Sequence, residues 1–383
     1  MITFSFWALI IVCFYLYFGY PVLLVLVGLL RRRSVSKKDI TPSVTLLIPA
    51  YNEEAVMAAK LDNVLALDYP RQKLDILVVS DGSDDNTEAI VRRYSQQGVR
   101  LLALPRRGKA SALNSAAPHV RGTIIVFSDA NTMLEPDALR ILVRNFHDPQ
   151  VGGVCGNLTQ HSARQGDSVR KGDSLYWRYD KFVKRMESYT GSITFAAGSL
   201  YAIRKELFVP ISDLGAADDA AISSQVVRQG YRLVYEQDAV SYEEETASTE
   251  GEFRRKIRVV SGGLRVLLAT GLLNPFRYGF YAWQVISHKL LRRLVGYFLV
   301  AILLLNIILV LNHASVLYRL TLLAQIILYA ISLVGYLLRR SPWGQKKMFY
   351  VPFYFVMVNV AAMVGFWKLL RGERIVSWQP VRE

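Results

Sequence analysis

The chain has 383 residues, 52% of them hydrophobic, and a formal net charge of +15. That length allows one sizeable domain with attachments, and the apolar residues are too unevenly spread for a single soluble domain. The basic residues follow the borders of apolar segments, which argues against nucleic acid as the partner, and two cysteines, Cys13 and Cys155, exclude a disulfide framework.

In chain order, Phe4–Leu30 is uncharged, as are Val295–Asn312, Leu320–Leu338 and Met348–Trp367. Each approaches the ~20 apolar residues that a helix needs to cross a bilayer. A signal peptide fits the first one badly, because no basic region precedes it and no small-residue cleavage site follows. Arg31, Arg32, Arg33, Lys37 and Lys38 follow the first segment, and Lys289, Arg292 and Arg293 precede the second. The positive-inside rule then places Arg31–Arg293 in the cytosol. If every segment crosses once, Lys368, Arg371, Arg374 and Arg382 fall outside. Pro352 and the aromatic run Phe349–Phe355 leave open a final segment that lies in the membrane plane.

From Ser43 onward short apolar runs alternate with helical periodicity. Val44–Ile48, Asp75–Val79 and Thr123–Phe127 read as strands, with helices expected over Glu53–Leu67, Asn86–Gln97 and Lys109–His119. Val151–Val154 and Tyr231–Tyr235 read as further strands. The alternation predicts an α/β fold with a mostly parallel sheet covered on both faces. Tyr51, Asn52 and Glu53 follow the first strand, Asp81 the second and Asp129 the third, the edge where open α/β sheets bind ligands. Each Asp alone also reads as a helix cap or turn residue.

Six landmarks follow in order. They are Ile48-Pro49-Ala50-Tyr51-Asn52-Glu53-Glu54, Val79-Ser80-Asp81-Gly82-Ser83-Asp84-Asp85 and Gly108-Lys109-Ala110-Ser111-Ala112-Leu113-Asn114, then Ser128-Asp129-Ala130-Asn131, Asp218-Asp219 and Arg255-Lys256-Ile257-Arg258. With these the chain resembles the family 2 glycosyltransferases, particularly the membrane synthases of cellulose, hyaluronan and chitin type. The resemblance covers roughly residues 43–263 and the membrane arrangement. It implies a Rossmann-like GT-A domain over residues 41–250, a transmembrane helix over 1–33, interfacial amphipathic helices over 251–292 and about three transmembrane helices over 293–372.

The resemblance also implies roles. Tyr51, Glu53 and Asp81 line the nucleotide pocket, and Lys109 is the cationic contact to nucleotide or phosphate. Asp129 and Asn131 occupy the Asp-X-Asp element, whose two side chains meet one Mg²⁺ or Mn²⁺ bridging a diphosphate. Asn131 stands where Asp is usual and brings no charge. Asp218 and Asp219 match the acidic pair whose second member is the general base, so Asp219 is assigned the base and Asp218 its neighbour. Gly198 belongs to the small-residue element beside the acceptor. Arg255 and Arg258, three apart on a helix, share a face and suit a diphosphate. Val259 replaces the Trp expected next, so processivity is not carried over.

The implied activity is inverting transfer from a nucleotide-sugar, a UDP-sugar foremost, to a growing glycan at the cytoplasmic face of the plasma (inner) membrane. Transfer of one hexosyl or N-acetylhexosaminyl unit to a polyprenyl phosphate or other lipid stands beside it, as does a non-catalytic nucleotide-binding scaffold. The oligomeric state is not legible.

Overall fold

A computed structural model describes residues 1–161, 168–212, 217–244, 248–312 and 315–373. Eight strands form one sheet: β1 Val44–Ala50, β2 Leu74–Asp81, β3 Val99–Leu104, β4 Ile124–Phe127, β5 Met133–Leu134, β6 Val151–His161, β7 Tyr201–Arg204 and β8 Arg232–Glu244. Their order is β3-β2-β1-β4-β7-β6-β8-β5. The pairings β1–β2, β2–β3, β1–β4 and β6–β8 are parallel, and β4–β7, β6–β7 and β5–β8 antiparallel. The sheet is therefore mixed. β7 and β5 run against the rest, so the carboxyl ends of β1, β2, β4, β6 and β8 emerge on one edge.

β1 is buried along its whole length, which is why it reads as an unbroken apolar run. Its pairing with β4 stops at Leu47↔Phe127. Pro49, with no N–H to offer, falls just beyond that point, where no ladder partner needs one. β6 and β8 are longer than the expected Val151–Val154 and Tyr231–Tyr235. They lie side by side with register shifts at Val151/Gly153 and Cys155/Asn157, and this pairing carries polar residues such as Asn157 and Glu243 into the ladder. Apolar patterning does not signal such residues.

Two cores sandwich the sheet. One joins Leu46, Ile48 and Val78 to Met57 and Leu61 of the helix Glu54–Leu65. The other joins Leu47, Val79 and Leu113 to Val260 and Leu264 of the helix Thr249–Thr270, and extends to Ala362. Ala362 belongs to the last apolar helix, Lys347–Leu370, which continues through Pro352. Gly365 of that helix lies against the Ile257 carbonyl and Val260, where a Cβ would stand 3.0 Å from the oxygen.

Among the described residues four helices are long and apolar enough to cross a membrane: Ile2–Leu30, Pro275–Asn312, Val316–Leu337 and Lys347–Leu370. Residues 275–292, expected to lie at the interface, run on into the second of these helices and are kinked at Gly279. Arg374 and Arg382 lie outside the described residues.

The first apolar helix is tied to the sheet domain through one buried carboxylate. Glu187, fully buried on the helix Ser168–Thr190, accepts a hydrogen bond from Tyr20 Oη at 2.6 Å and from Thr194 N–H at 3.1 Å, and pairs with His288 Nδ1 at 2.7 Å. Removing one member of such a buried set leaves the others unpaired, at about 3–5 kcal/mol. Glu187→Ala is expected to lower the thermal midpoint of the detergent-solubilised chain by several degrees, read by fluorescence-detected size-exclusion after heating. A midpoint equal to wild type refutes the role.

Candidate active site

Four chain segments deliver side chains to the shared edge. Gly108 adopts φ +94°, a left-handed conformation that turns the chain directly into the helix Lys109–Ala116, so Lys109 opens a helix. Asp129 follows β4, and Gly198 precedes the reversed strand β7. Asp218 and Asp219 form the first turn of the helix Asp218–Arg228, where the N-terminal end of the helix dipole favours negative charge.

Lys109 sits at the centre. Its Nζ lies 2.8 Å from Asp129 Oδ1 and 3.1 Å from Asp218 Oδ2, with only 17% of the side chain exposed. Burial works against its charge, but the opposite charges of Asp129 and Asp218 outweigh that and hold its pKa above the ordinary lysine value. Gly198 faces both carboxylates. A Cβ there would stand 3.4 Å from Asp129 Oδ2 and 3.6 Å from Asp219 Oδ2. Asp219 accepts the Ala220 N–H at 2.7 Å. Burial, then the adjacent Asp218 charge, push its carboxyl up to about 6. Pro49, Lys109, Asp129, Gly198, Tyr201 and Asp218 line one small cleft.

The remaining expected residues are arranged around this centre. Asp81, 1% exposed, accepts from Arg106 Nη1 at 2.6 Å and from the N–H groups of Arg107 and Gly108 at 2.8 Å each, so its carboxylate ties down the loop before Lys109. Tyr51 lies under the Arg106 guanidinium, 3.4 Å from its ring centroid. Glu53 is buried, and its N–H donates to Thr87 Oγ1 at 2.8 Å. Asn131 Nδ2 donates to Glu243 Oε1 at 2.9 Å. Arg255 is held by both oxygens of Glu252 at 2.6 and 2.9 Å, so it meets a carboxylate of its own helix. Arg258 lies within the field of the centre's carboxylates. Burial and the neighbouring Arg255 lower its pKa, while Asp129, Asp218 and Glu243 raise it.

Three residues escape the sequence reading. Lys60, fully buried, donates to Ser128 Oγ at 2.8 Å and to the Thr132 carbonyl at 2.5 Å, bracketing the Asp129–Asn131 turn from beneath. Burial pushes its pKa down to about 7, partly opposed by Asp129. A lysine within an amphipathic helix carries no sequence sign of this position. Glu243 lies near the carboxyl end of β8, so the same edge rule that selected Asp81 and Asp129 would have found it had the strand been drawn long enough. Tyr201 is 1% exposed, and its ring stacks on Phe127 at 4.6 Å. Its hydroxyl is buried in the lining of the cleft without a hydrogen-bond partner.

A divalent cation fits these residues in a restricted way. Asp129, Asn131 and Glu243 offer hard oxygen donors, and the orphaned Tyr201 hydroxyl leaves a polar group in the cleft that Asp129 also lines. Among the described residues no three His, Cys, Asp or Glu side chains form a closed metal cage. That suits an ion held by one or two carboxylates and completed by substrate phosphates.

Residues 45–210 match the family described as Glycosyl transferase family 2. Over 257 residues the chain is 28% identical to a poly-beta-1,6-N-acetyl-D-glucosamine synthase of Staphylococcus aureus, covering 62% of this chain and 60% of the synthase. It is likewise 28% identical over 239 residues to the probable glycosyltransferase YdaM of Bacillus subtilis, covering 59% of this chain and 56% of that protein. The matches thus span somewhat less than two thirds of these relatives. The fold superposes on the mannosyltransferase PcManGT from Pyrobaculum calidifontis, solved with GDP-Man and Mn²⁺, with a TM-score of 0.70 and 23% identity, over 98% of this chain and 100% of that one. The architecture is that of a GT-A domain joined to apolar helices.

Lys109 separates carboxylates that would otherwise repel one another. Lys109→Met is expected to destabilise the fold most at pH values above about 6, where Asp219 is charged. The deficit should shrink as the pH falls and protonation relieves the repulsion. Thermal midpoints measured across pH check this, and a deficit independent of pH contradicts it.

Proposed function

From the premise that residues 45–210 are a family 2 glycosyltransferase domain, we propose that the chain transfers a sugar, with inversion, from a nucleotide-sugar to a glycan acceptor at the cytoplasmic face of a bilayer. The observation that carries this reading is the meeting of Lys109, Asp129, Asp218 and Asp219 at one sheet edge, with Gly198 facing Asp129 and Asp219.

In this reading Asp219 takes the proton from the acceptor hydroxyl as that oxygen attacks the anomeric carbon. A carboxylate whose pKa is about 6 suits the task, since it is mostly ionised at neutral pH yet more basic than a surface aspartate. The bond to the diphosphate breaks on the opposite face, and Lys109 and Arg258 stabilise the charge that develops there. A divalent ion, Mg²⁺ or Mn²⁺, would be held by Asp129 and Asn131 and would offset charge on the departing diphosphate. Tyr51, Glu53 and Asp81 shape the nucleotide end through the loop that Asp81 anchors, and a UDP-sugar is the proposed donor. Gly198 borders the acceptor. The four apolar helices hold the reaction at the membrane, with residues 31–293 on the cytoplasmic side and the plasma membrane as the site.

For the acceptor, the growing polysaccharide chain is the first choice, supported by the sequence match to a polymer synthase. One specific residue favours transfer to a lipid phosphate instead. Val259 stands where the synthases carry a Trp, and it is 46% exposed, offering no aromatic face to a sugar.

Asp219→Asn is expected to retain nucleotide binding while kcat falls by about 10²–10⁴-fold. Radiolabelled sugar transfer, with binding measured in parallel by calorimetry, checks this, and full turnover rejects the base. Because the base must be ionised, the rate of wild type should rise with pH through about 6 and then level off. A rate that falls over that interval contradicts the assignment.

A further inference from the structure

The Asp129-Ala130-Asn131 turn carries one negative charge. Lys109 sets a positive charge beside it, 2.8 Å from Asp129 Oδ1. A cation would therefore meet a weakly anionic element if the turn acted alone.

The sheet brings a second carboxylate to the same place. β8 runs parallel to β6, with Gln160 opposite Glu243, and antiparallel to β5, with Met133 opposite Tyr242. β5 begins two residues after Asn131, so the two ladders fix Glu243 beside the turn. Its Oε1 accepts the Asn131 Nδ2–H at 2.9 Å. An amide has one nitrogen and one oxygen on opposite branches. Once the nitrogen is committed to Glu243, Oδ1 points away from that carboxylate.

We propose that Glu243 is a positioning residue for the cation–diphosphate site. It fixes the Asn131 amide with its oxygen available to the ion, and it carries the negative charge that an aspartate at position 131 would bring. This rests on the donor-site reading given above. The ligand class is a divalent cation together with a nucleoside diphosphate. The arrangement has the form of an outer carboxylate that orients an inner ligand, a contact whose loss costs about 10–100-fold in metal affinity.

The test uses the full chain in detergent and measures Mn²⁺ binding from the loss of the free-ion paramagnetic resonance signal, with UDP or GDP added. Glu243→Gln is expected to weaken Mn²⁺ binding by about tenfold or more. The exchanged pair Asn131→Asp with Glu243→Gln restores a carboxylate facing an amide in the opposite sense, and is expected to recover most of the affinity. In transfer assays Glu243→Gln should raise the Mn²⁺ concentration needed for half-maximal rate more than it lowers kcat at saturating metal, a split that loss of folding would not produce. Binding by Glu243→Gln equal to wild type overturns the proposal, and so does an exchanged pair no better than the single variant. Failure of the donor-site reading looks different: wild type then takes up no Mn²⁺ with either nucleotide, or Asp129→Asn leaves uptake unchanged, and this proposal falls with it.

Discussion

One ammonium group sets the electrostatics of the sheet edge. Lys109 stands between Asp129 and Asp218, which come from elements about ninety residues apart in sequence, and neither carboxylate would tolerate the other's neighbourhood without it. Its position follows from backbone geometry upstream. Asp81 gathers the N–H groups of Arg107 and Gly108, Gly108 takes the left-handed turn, and the helix begins at Lys109. The ion pairs are partly shielded from water, so they act more strongly than surface pairs and resist screening by salt. Asp219, next in the row but outside that direct pairing, is pushed up to about 6 by burial and then by the Asp218 charge. Of the two adjacent aspartates, Asp218 is the one paired directly with the ammonium.

The catalytic domain and the apolar helices form one packed body. The core on one face of the sheet continues through Val260 and Leu264 to Ala362, and Glu187 joins Tyr20 and His288 from two other apolar helices. Polar hydrogen bonds and apolar packing therefore both fix the sheet edge relative to the apolar helices.

The sequence discloses the first half of this fold well and the second half less well, for a physical reason. β1, β2 and β4 are buried on both faces, so each is an apolar run ended by polar residues, and Asp81 and Asp129 stand out at once. β6 and β8 carry several polar positions in their outer portions, which therefore look like loops. Glu243 was hidden for that reason. The reversal of β7 leaves no mark either, since Tyr201–Arg204 has the same composition as a parallel strand. Lys60 is a different case. Its cation is buried against a hydroxyl and a carbonyl contributed by residues some seventy positions later, and no local pattern encodes such a contact.

Gly365 carries a mechanical consequence. With no side chain there, the last apolar helix rests on the backbone of the helix that bears Arg258, at the residue immediately before it. Lipids of different acyl length change the tilt of membrane helices at modest energetic expense. In the proposed reading, a tilt of this helix would carry the Arg258 guanidinium with it relative to the sheet, and turnover would follow bilayer thickness through the close seat at Gly365.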